Sequence, residues 1–329
     1  MITNNLKIIL LLLILFLVSC GNEENSKKTT IISIIKEKNS RTYDSIEKGL
    51  LDQISSDKID VNINFYELDN DDLSIIKTAN NVRDDNSNIA IIIGENATLL
   101  SMNIIVPQSI IFAGSFDNLS LSSITKNKIQ NNNITGVYVY LDITKYIKII
   151  SENDVKSIAY LYTKNSAMSA NISTYITKYC SNENIVYYPL EIEKDFNLYN
   201  IENIIKLKDI DYMILANEEY INNNIYSIAH LCDKYSIPLI NTDISEAVNT
   251  TVLFSLDFNY YYLGRQLALL LNDVINNNGK TEGLNFVKLS DSYRILINED
   301  IAKEYNIKFT KEILDKSSIV IRDGKVIRK

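Results

Sequence analysis

The chain has one histidine, His230, and no tryptophan. That scarcity removes whole classes of chemistry. Zinc sites gather several His and Cys ligands, and one imidazole with cysteines far apart in sequence does not make such a set. A Ser-His-Asp relay would need His230 itself at the reacting centre, yet "IYSIAHLCDKY" reads as a helix with His230 on it. There is no G-x-S-x-G elbow, no phosphate-cradling P-loop and no G-x-G-x-x-G fingerprint. Basic residues are outnumbered, 33 against 41 acidic, for a net charge of −8. A nucleic-acid partner, whose phosphates must be neutralised, is therefore not expected. Nothing after residue 20 is apolar for long enough to span a bilayer, and no catalytic residue, metal or cofactor is implied.

What is present starts with a seam. Eleven apolar residues, Ile8 through Val18, follow Lys7 and run into Ser19-Cys20-Gly21. Crossing a membrane takes about 20 such residues, so residues 1–19 read as a secretory leader. Leu17 three positions before the Cys, and a small residue just before it, resemble the bacterial lipobox. In that motif the thiol receives diacylglycerol and the Cys becomes the new amino terminus. Cys20 is thus the expected lipidation site and residues 20–30 a polar tether. Each buried lipid methylene contributes about 0.8 kcal/mol, and two or more chains anchor stably. The expected location is the cell envelope, held to a membrane by lipid and facing the periplasm or the exterior. Cys180 and Cys232 remain, as one disulfide or as two buried thiols.

A mature length near 310 residues suits two domains better than one core. From Thr30 onward short β-rich runs alternate with amphipathic helical stretches. "IISII" (31–35) and "IAIIIG" (89–94) are unbroken apolar runs, the signature of strands buried on both faces. "VNINFYEL" (61–68) alternates, and "SIIFAG" (109–114) is a fourth strand. Ile46, Leu50 and Ile54 recur at helical spacing between the first two. After "NNNITGVYVY" (131–140) the rhythm repeats, with "SIAYLYT" (157–163), "IVYYPLEI" (185–192), "YMILAN" (212–217) and "IPLINTD" (237–243) in matching places. The fold class is α/β: two Rossmann-like parallel-sheet lobes with a hinge and an interlobe cleft. The expected first lobe is 31–135 plus about 258–285, the second 136–257 plus about 286–329. The crossings fall near Asn133–Val137 and Phe254–Phe258. The helix "YYYLGRQLALLLNDVI" (260–275), too apolar to stand alone, is expected to pack back on the first lobe. Three tyrosines open it, but a helix points only one or two of them the same way, which argues against a phenolate iron site.

In open parallel sheets ligands sit beyond the carboxyl ends of the strands. Two facing lobes place both sets of strand-end loops around one gap that a hinge can close, a design for holding a small molecule. "NITGVYVYLDITKYIKII" (133–150), "IPLINTD" (237–243), "LDFNYYYLGRQLALLL" (256–271) and "YRILINEDIAKEYNIKFTKEIL" (293–314) resemble the ABC transporter substrate-binding family that includes tryptophan- and tyrosine-binding lipoproteins. The resemblance covers about residues 30 to 320. It implies type-I periplasmic-binding-protein lobes, a small-molecule ligand, an aromatic amino acid by the family's ligand class, and delivery to an ABC permease with its ATPase. The sequence departs from the family pattern at Glu95-Asn96-Ala97, where many members have Ser/Thr-Pro-Ala, and at Ala113-Gly114-Ser115-Phe116-Asp117, where a Ser/Thr-rich loop is usual.

An amino-acid zwitterion needs acceptors for its ammonium, donors for its carboxylate and a shaped pocket. Asp243 is the leading acceptor, because "NTD" ends a strand and matches the family's SD/TD. Asp117 and Glu95 are the first-lobe equivalents. Each of these acids has a plainer alternative as a helix cap or a solvated turn residue. Asn165 and Ser166 open a helix whose free N–H groups favour an anion, with simple capping the alternative. Asn96, Ser115 and Asn217 lie on the same loops. Phe116, Tyr138, Tyr140 and Tyr162 offer stacking surface. Two other functions compete with a solute receptor: a surface sensor that kept the fold and changed its ligand, and an α/β enzyme, which the missing motifs disfavour.

Overall fold

The computed structural model describes residues 29–38, 40–69, 71–116, 118–140, 143–151, 153–164, 166–193, 198–248, 250–289 and 293–329. The leader, Cys20, nearly all of the tether, Asp117 and Asn165 lie outside the described residues.

The first sheet contains β1 (Thr30–Glu37), β2 (Val61–Leu68), β3 (Ile89–Ile93), β4 (Ser109–Phe116), β5 (Ile134–Tyr140) and the short β11 (Val287–Lys288). All of its pairings are parallel, in the order β11-β5-β4-β3-β1-β2. Parallel strands need crossover helices, which cover both faces and call for apolar side chains on each. Every residue of β3 is accordingly buried. One apolar layer, with Ile32, Ile34 and Ile91, lies on one face; another, with Ile35, Ile92 and Phe112, lies on the other.

The second sheet contains β6 (Ser157–Thr163), β7 (Val186–Ile192), β8 (Tyr212–Leu215), β9 (Leu239–Asn241), β10 (Val252–Phe258), β12 (Tyr293–Asn298), β13 (Ile319–Arg322) and β14 (Lys325–Arg328). Its order is β14-β13-β12-β10-β9-β8-β6-β7. The stretch β7-β6-β8-β9-β10 reproduces β2-β1-β3-β4-β5 strand for strand, so the duplication read from the sequence is a repeat of topology. The sheet then extends: β12 joins β10 antiparallel, and Asp323-Gly324, both at positive φ, turn the chain into the closing hairpin β13–β14, as two-residue turns of this type require.

The chain passes between the sheets later than the sequence implied. β5 pairs with β4 from Ile134 to Tyr140, and leaving at residue 136 would strand those backbone groups. The first passage therefore follows Tyr140. β10 stays in the second sheet to its last residue, Phe258. The final stay in the first lobe runs past residue 285, because Val287 and Lys288 pair with Val137 and Tyr138 and the Leu289 N–H donates to the Tyr138 carbonyl at 2.9 Å.

The helix Tyr260–Asn276 packs on the first lobe, with Leu263, Leu267, Leu270, Leu271 and Val274 buried in that core. Its partner is the helix Arg41–Ser56. The two backbones nearly touch. A Cβ on Gly264 would stand 2.0 Å from the Ile46 carbonyl oxygen, and one on Gly49 would stand 2.1 Å from that of Tyr261. Side chains tie the same seam, Tyr261 to Asp52 at 3.0 Å and Arg265 to Gln53 at 2.6 Å. The phenols of Tyr260, Tyr261 and Tyr262 diverge: the first is buried, the second bonds Asp52 and the third is exposed.

Cys180 and Cys232 are free and buried. Burial pushes their thiols up to about 11 and about 12, which keeps them unreactive.

Ala in place of Gly raises intrinsic helix stability by about 1 kcal/mol. Gly264→Ala and Gly49→Ala should nevertheless each destabilise the chain, by about 1–3 kcal/mol of overpacking. The midpoint of urea unfolding at constant slope measures this; a midpoint unchanged or raised would mean the helices separate without cost.

Candidate functional site

With the order 2-1-3-4-5, the place where strand order reverses lies between the first and third strands, at their carboxyl ends. In the first lobe that point lies between Glu37 and Gly94-Glu95. Gly94 has φ +123° and the Tyr43 ring stands 3.2 Å from where its Cβ would be. A side chain there would meet both a forbidden backbone and the ring. Burial, reinforced by the charges of Glu37 and Glu95, holds the Tyr43 hydroxyl well above the usual phenol range. Just beneath, buried Lys36 is ringed by Asp44 (2.5 Å), Glu47 and Glu67 (3.7 Å). Burial works against its charge, but the hydrogen bonds to Asp44 and Glu47 outweigh it and raise the ammonium to about 12.

In the second lobe the corresponding point lies between Thr163 and Glu218. Glu218 Oε2 accepts the Thr163 backbone N–H at 3.0 Å and also the Thr163 hydroxyl, while Oε1 accepts the Ser169 hydroxyl. Ser166 caps the helix Ala167–Glu183, its Oγ accepting the Ser169 N–H at 3.2 Å. One carboxylate therefore fixes the ends of two strands and the start of a helix.

Between these points, where the lobes meet, charged groups form a row across three strands. Ser255 of β10 pairs in register with Asn241, the last residue of β9, and Asp243, just before the helix Ile244–Ala247, is near enough for its charge to act on Asp257. Asp257 in turn faces Arg294 across the antiparallel β10–β12 ladder. In-register neighbours share a face, which sets Asp257 and Arg294 side by side at the carboxyl edge of the parallel strands, with Asp243 close by. Asp257 Oδ2 accepts Arg294 Nη2 at 2.7 Å, and its Oδ1 accepts the Phe258 N–H at 2.6 Å. Burial raises the Asp257 carboxyl to about 7 against the pull of Arg294, and the charge of Asp243 adds to the rise. Tyr260, of the first lobe, abuts the same row: burial, then Asp257, Asp243 and Tyr43, push its hydroxyl far up. Tyr293 closes the back, donating to the Tyr140 carbonyl at 3.2 Å and packing on Phe258 with ring centroids 4.6 Å apart.

The expected site residues divide. Asp243 is buried in the row just described. Glu95 opens the helix Glu95–Ser101 and is half-buried, with Asn96 beside it exposed. The Ser115 Oγ is buried with no hydrogen-bond partner among the described residues. Ser166 is a cap, as its alternative had it, and Asn217 is exposed, its side-chain oxygen accepting from Asn222 at 2.8 Å. The aromatic assignments need correction. Phe116 is fully buried, edge-on to Phe112 at 5.0 Å. Tyr162 is buried and stacked on Tyr160 at 5.3 Å. Both fill cores because residues two or four apart on a strand share a face. Tyr138 flanks the same core as Phe112. Tyr140 sits at the passage between lobes beneath Lys288, whose Nζ is 5.0 Å from the ring centre. His230 is exposed on the helix Ile225–Lys234. No cluster of His, Cys, Asp and Glu able to hold a metal occurs among the described residues, and no helix there is long and apolar enough to cross a membrane.

A family model described as ABC transporter substrate binding protein matches residues 28–321. The chain belongs to that family. Members of that family are extracytoplasmic substrate-binding proteins that work with a permease and an ATPase. Among curated proteins no relative matches the sequence. A domain from Streptococcus pneumoniae solved in complex with L-Trp is 16% identical, with a TM-score of 0.70 over 88% of this chain and 100% of that one. The ligand-free, open structure of a Clostridium difficile substrate-binding protein with adhesive properties is 14% identical, with a TM-score of 0.67 over 89% and 99%. A Bacillus halodurans ABC transporter solute-binding protein with bound myo-inositol is 12% identical, with a TM-score of 0.61 over 84% and 98%. At these identities the likeness carries the fold, the type-I periplasmic binding protein, and leaves the ligand to be argued from the site.

Three groups of this substrate-binding protein escaped sequence reasoning: Glu218, Asp257 and Arg294. The signal for two of them was present. "VLFSLDF" and "YRILIN" are strand-like runs with one charge each, and a lone charge in a buried strand demands a partner.

Asp257 gives a pH test. Its pKa of about 7 in the folded chain lies above the ordinary 3.8, so the folded state holds the proton more tightly than the unfolded one. Stability must therefore fall as pH rises through that window. Asp257→Asn removes the group, and its melting temperature should gain on wild type between about pH 4 and about pH 8. A gap constant with pH would show that Asp257 titrates alike in both states.

Proposed function

We propose that this chain is a lipid-anchored receptor that captures an aromatic amino acid between its lobes and delivers it to an ABC permease. The observation that carries the amino-acid reading is Asp243: a carboxylate at the end of β9, 8% exposed, level with the lobe junction and electrostatically coupled to Tyr260 of the opposite lobe. A carboxylate at this position can take the charge-assisted hydrogen bonds of an ammonium. Tyr43, lying against Gly94 at the first lobe's reversal point, offers an aromatic face, and the buried Ser115 hydroxyl offers a polar contact. The family's ligand class and the L-Trp complex of a structural neighbour support the aromatic side chain. Cys20, with Leu17 and Ser19 before it, supplies the membrane attachment.

A ligand that binds only the folded state raises the melting temperature. The full chain, extracted from membranes in mild detergent, should show such a rise with Trp, Tyr or Phe. Asp243→Ala should weaken that binding by about 10-fold or more, the scale of a lost charged hydrogen bond. No rise with any of the three would sink the aromatic reading. Radiolabelled palmitate should enter the wild-type chain and not Cys20→Ala; label persisting in the variant would place the lipid elsewhere.

A further inference from the structure

The row at the lobe junction contains more than an ammonium site. Two cations stand near the strand ends, Lys36 buried and Arg294 partly exposed, and they are treated differently. Lys36 has three carboxylates around it, within 2.5 to 3.7 Å for Asp44 and Glu67 and closer still for Glu47, and its side chain is 11% exposed. Among the described residues Arg294 has one: Nη2 is engaged by Asp257 at 2.7 Å, and the side chain is 42% exposed. Its Nε is buried without a hydrogen-bond partner among the described residues.

Asp257 in turn cannot follow a ligand, because its second oxygen is fixed to the Phe258 N–H. It acts as a clamp that orients the guanidinium through Nη2, while the rest of the side chain stays partly exposed. A guanidinium fork matches a carboxylate in bidentate geometry. Arg294 and Asp243 stand on either side of Asp257, and an α-amino acid carries its ammonium and carboxylate on one carbon.

We infer that Arg294, oriented by Asp257, binds the ligand's carboxylate, so that Asp243 and Arg294 together select a zwitterionic α-amino acid over its amine and over an uncharged polyol. This rests on the reading of the chain as an amino-acid receptor. Burial raises the Asp257 carboxyl, which weakens its neutralisation of Arg294 and leaves attraction for an anion.

The test is calorimetric titration of the full chain in detergent with L-Trp, L-Tyr and L-Phe, with the matching amines (tryptamine, tyramine, phenethylamine), with the matching acids that lack the amino group, and with myo-inositol. Wild type should prefer an amino acid to its amine by about 30-fold or more, the low end for truncating one partner of a buried charge pair. Arg294→Gln should abolish that preference by weakening the amino acid while leaving the amine within about 3-fold of its wild-type affinity. Arg294→Gln also strips Asp257 of its counter-charge, so Asp257→Asn/Arg294→Gln is measured beside it; the neutral pair should show the same loss of preference with its melting temperature kept. Equal weakening of amino acid and amine, or no change in either, would overturn the assignment of Arg294. Wild type binding the amines as well as the amino acids would overturn it too, while leaving the aromatic reading intact. Binding of myo-inositol alone, or of none of the probes, would overturn both.

Discussion

Two helix backbones in near contact hold this molecule in its two-lobed form. Gly49 and Gly264 let the helices Arg41–Ser56 and Tyr260–Asn276 approach until no side chain fits between them. The second helix belongs by sequence to neither half: it follows β10 of one sheet and precedes β11 of the other. Without that seat on the first lobe, its apolar face would be exposed and the chain would have no reason to return. The seat brings the chain back, and β11 then adds to the edge of the first sheet. The passages after Phe258 and after Leu289 follow from it.

The junction places polar groups where a parallel sheet would otherwise present only buried aliphatics. Burying charge is costly unless it is paired and hydrogen-bonded. Around Lys36 the chain meets that cost with acids in excess, and the result is a closed cluster with a structural role. Around Asp257 it meets the cost incompletely: one cation and one backbone N–H face a carboxyl whose affinity for a proton is raised by burial. Such partial compensation is common where a site must respond to something that comes and goes.

The repeat of β1 to β5 as β6 to β10 was legible because each strand buried on both faces reads as an apolar run, and the runs recur in order. The turns and the passage points were not. Alternation in "ITGVYVY" fixes that segment as a strand but cannot say which sheet it joins; only pairing with β4 decides. Phe116 and Tyr162 misled for a related reason. Each stands at a strand end near the ligand side, yet each shares a face with a core residue, Phe112 or Tyr160, and the face outweighs the position along the strand. Asp243 could be picked from sequence because it ends a strand. The pairing of Asp257 with Arg294 spans 37 residues and depends on an antiparallel register that no local pattern encodes.

The chain passes from one sheet to the other after Tyr140, after Phe258 and after Leu289. Halves joined by a single linker would tumble against one another, and a guest molecule would have to arrest that tumbling at the expense of its own affinity. Joined at three places, they retain little more than a bending motion about the line of the connections. Most of the rotational disorder has been removed by folding, before any solute arrives.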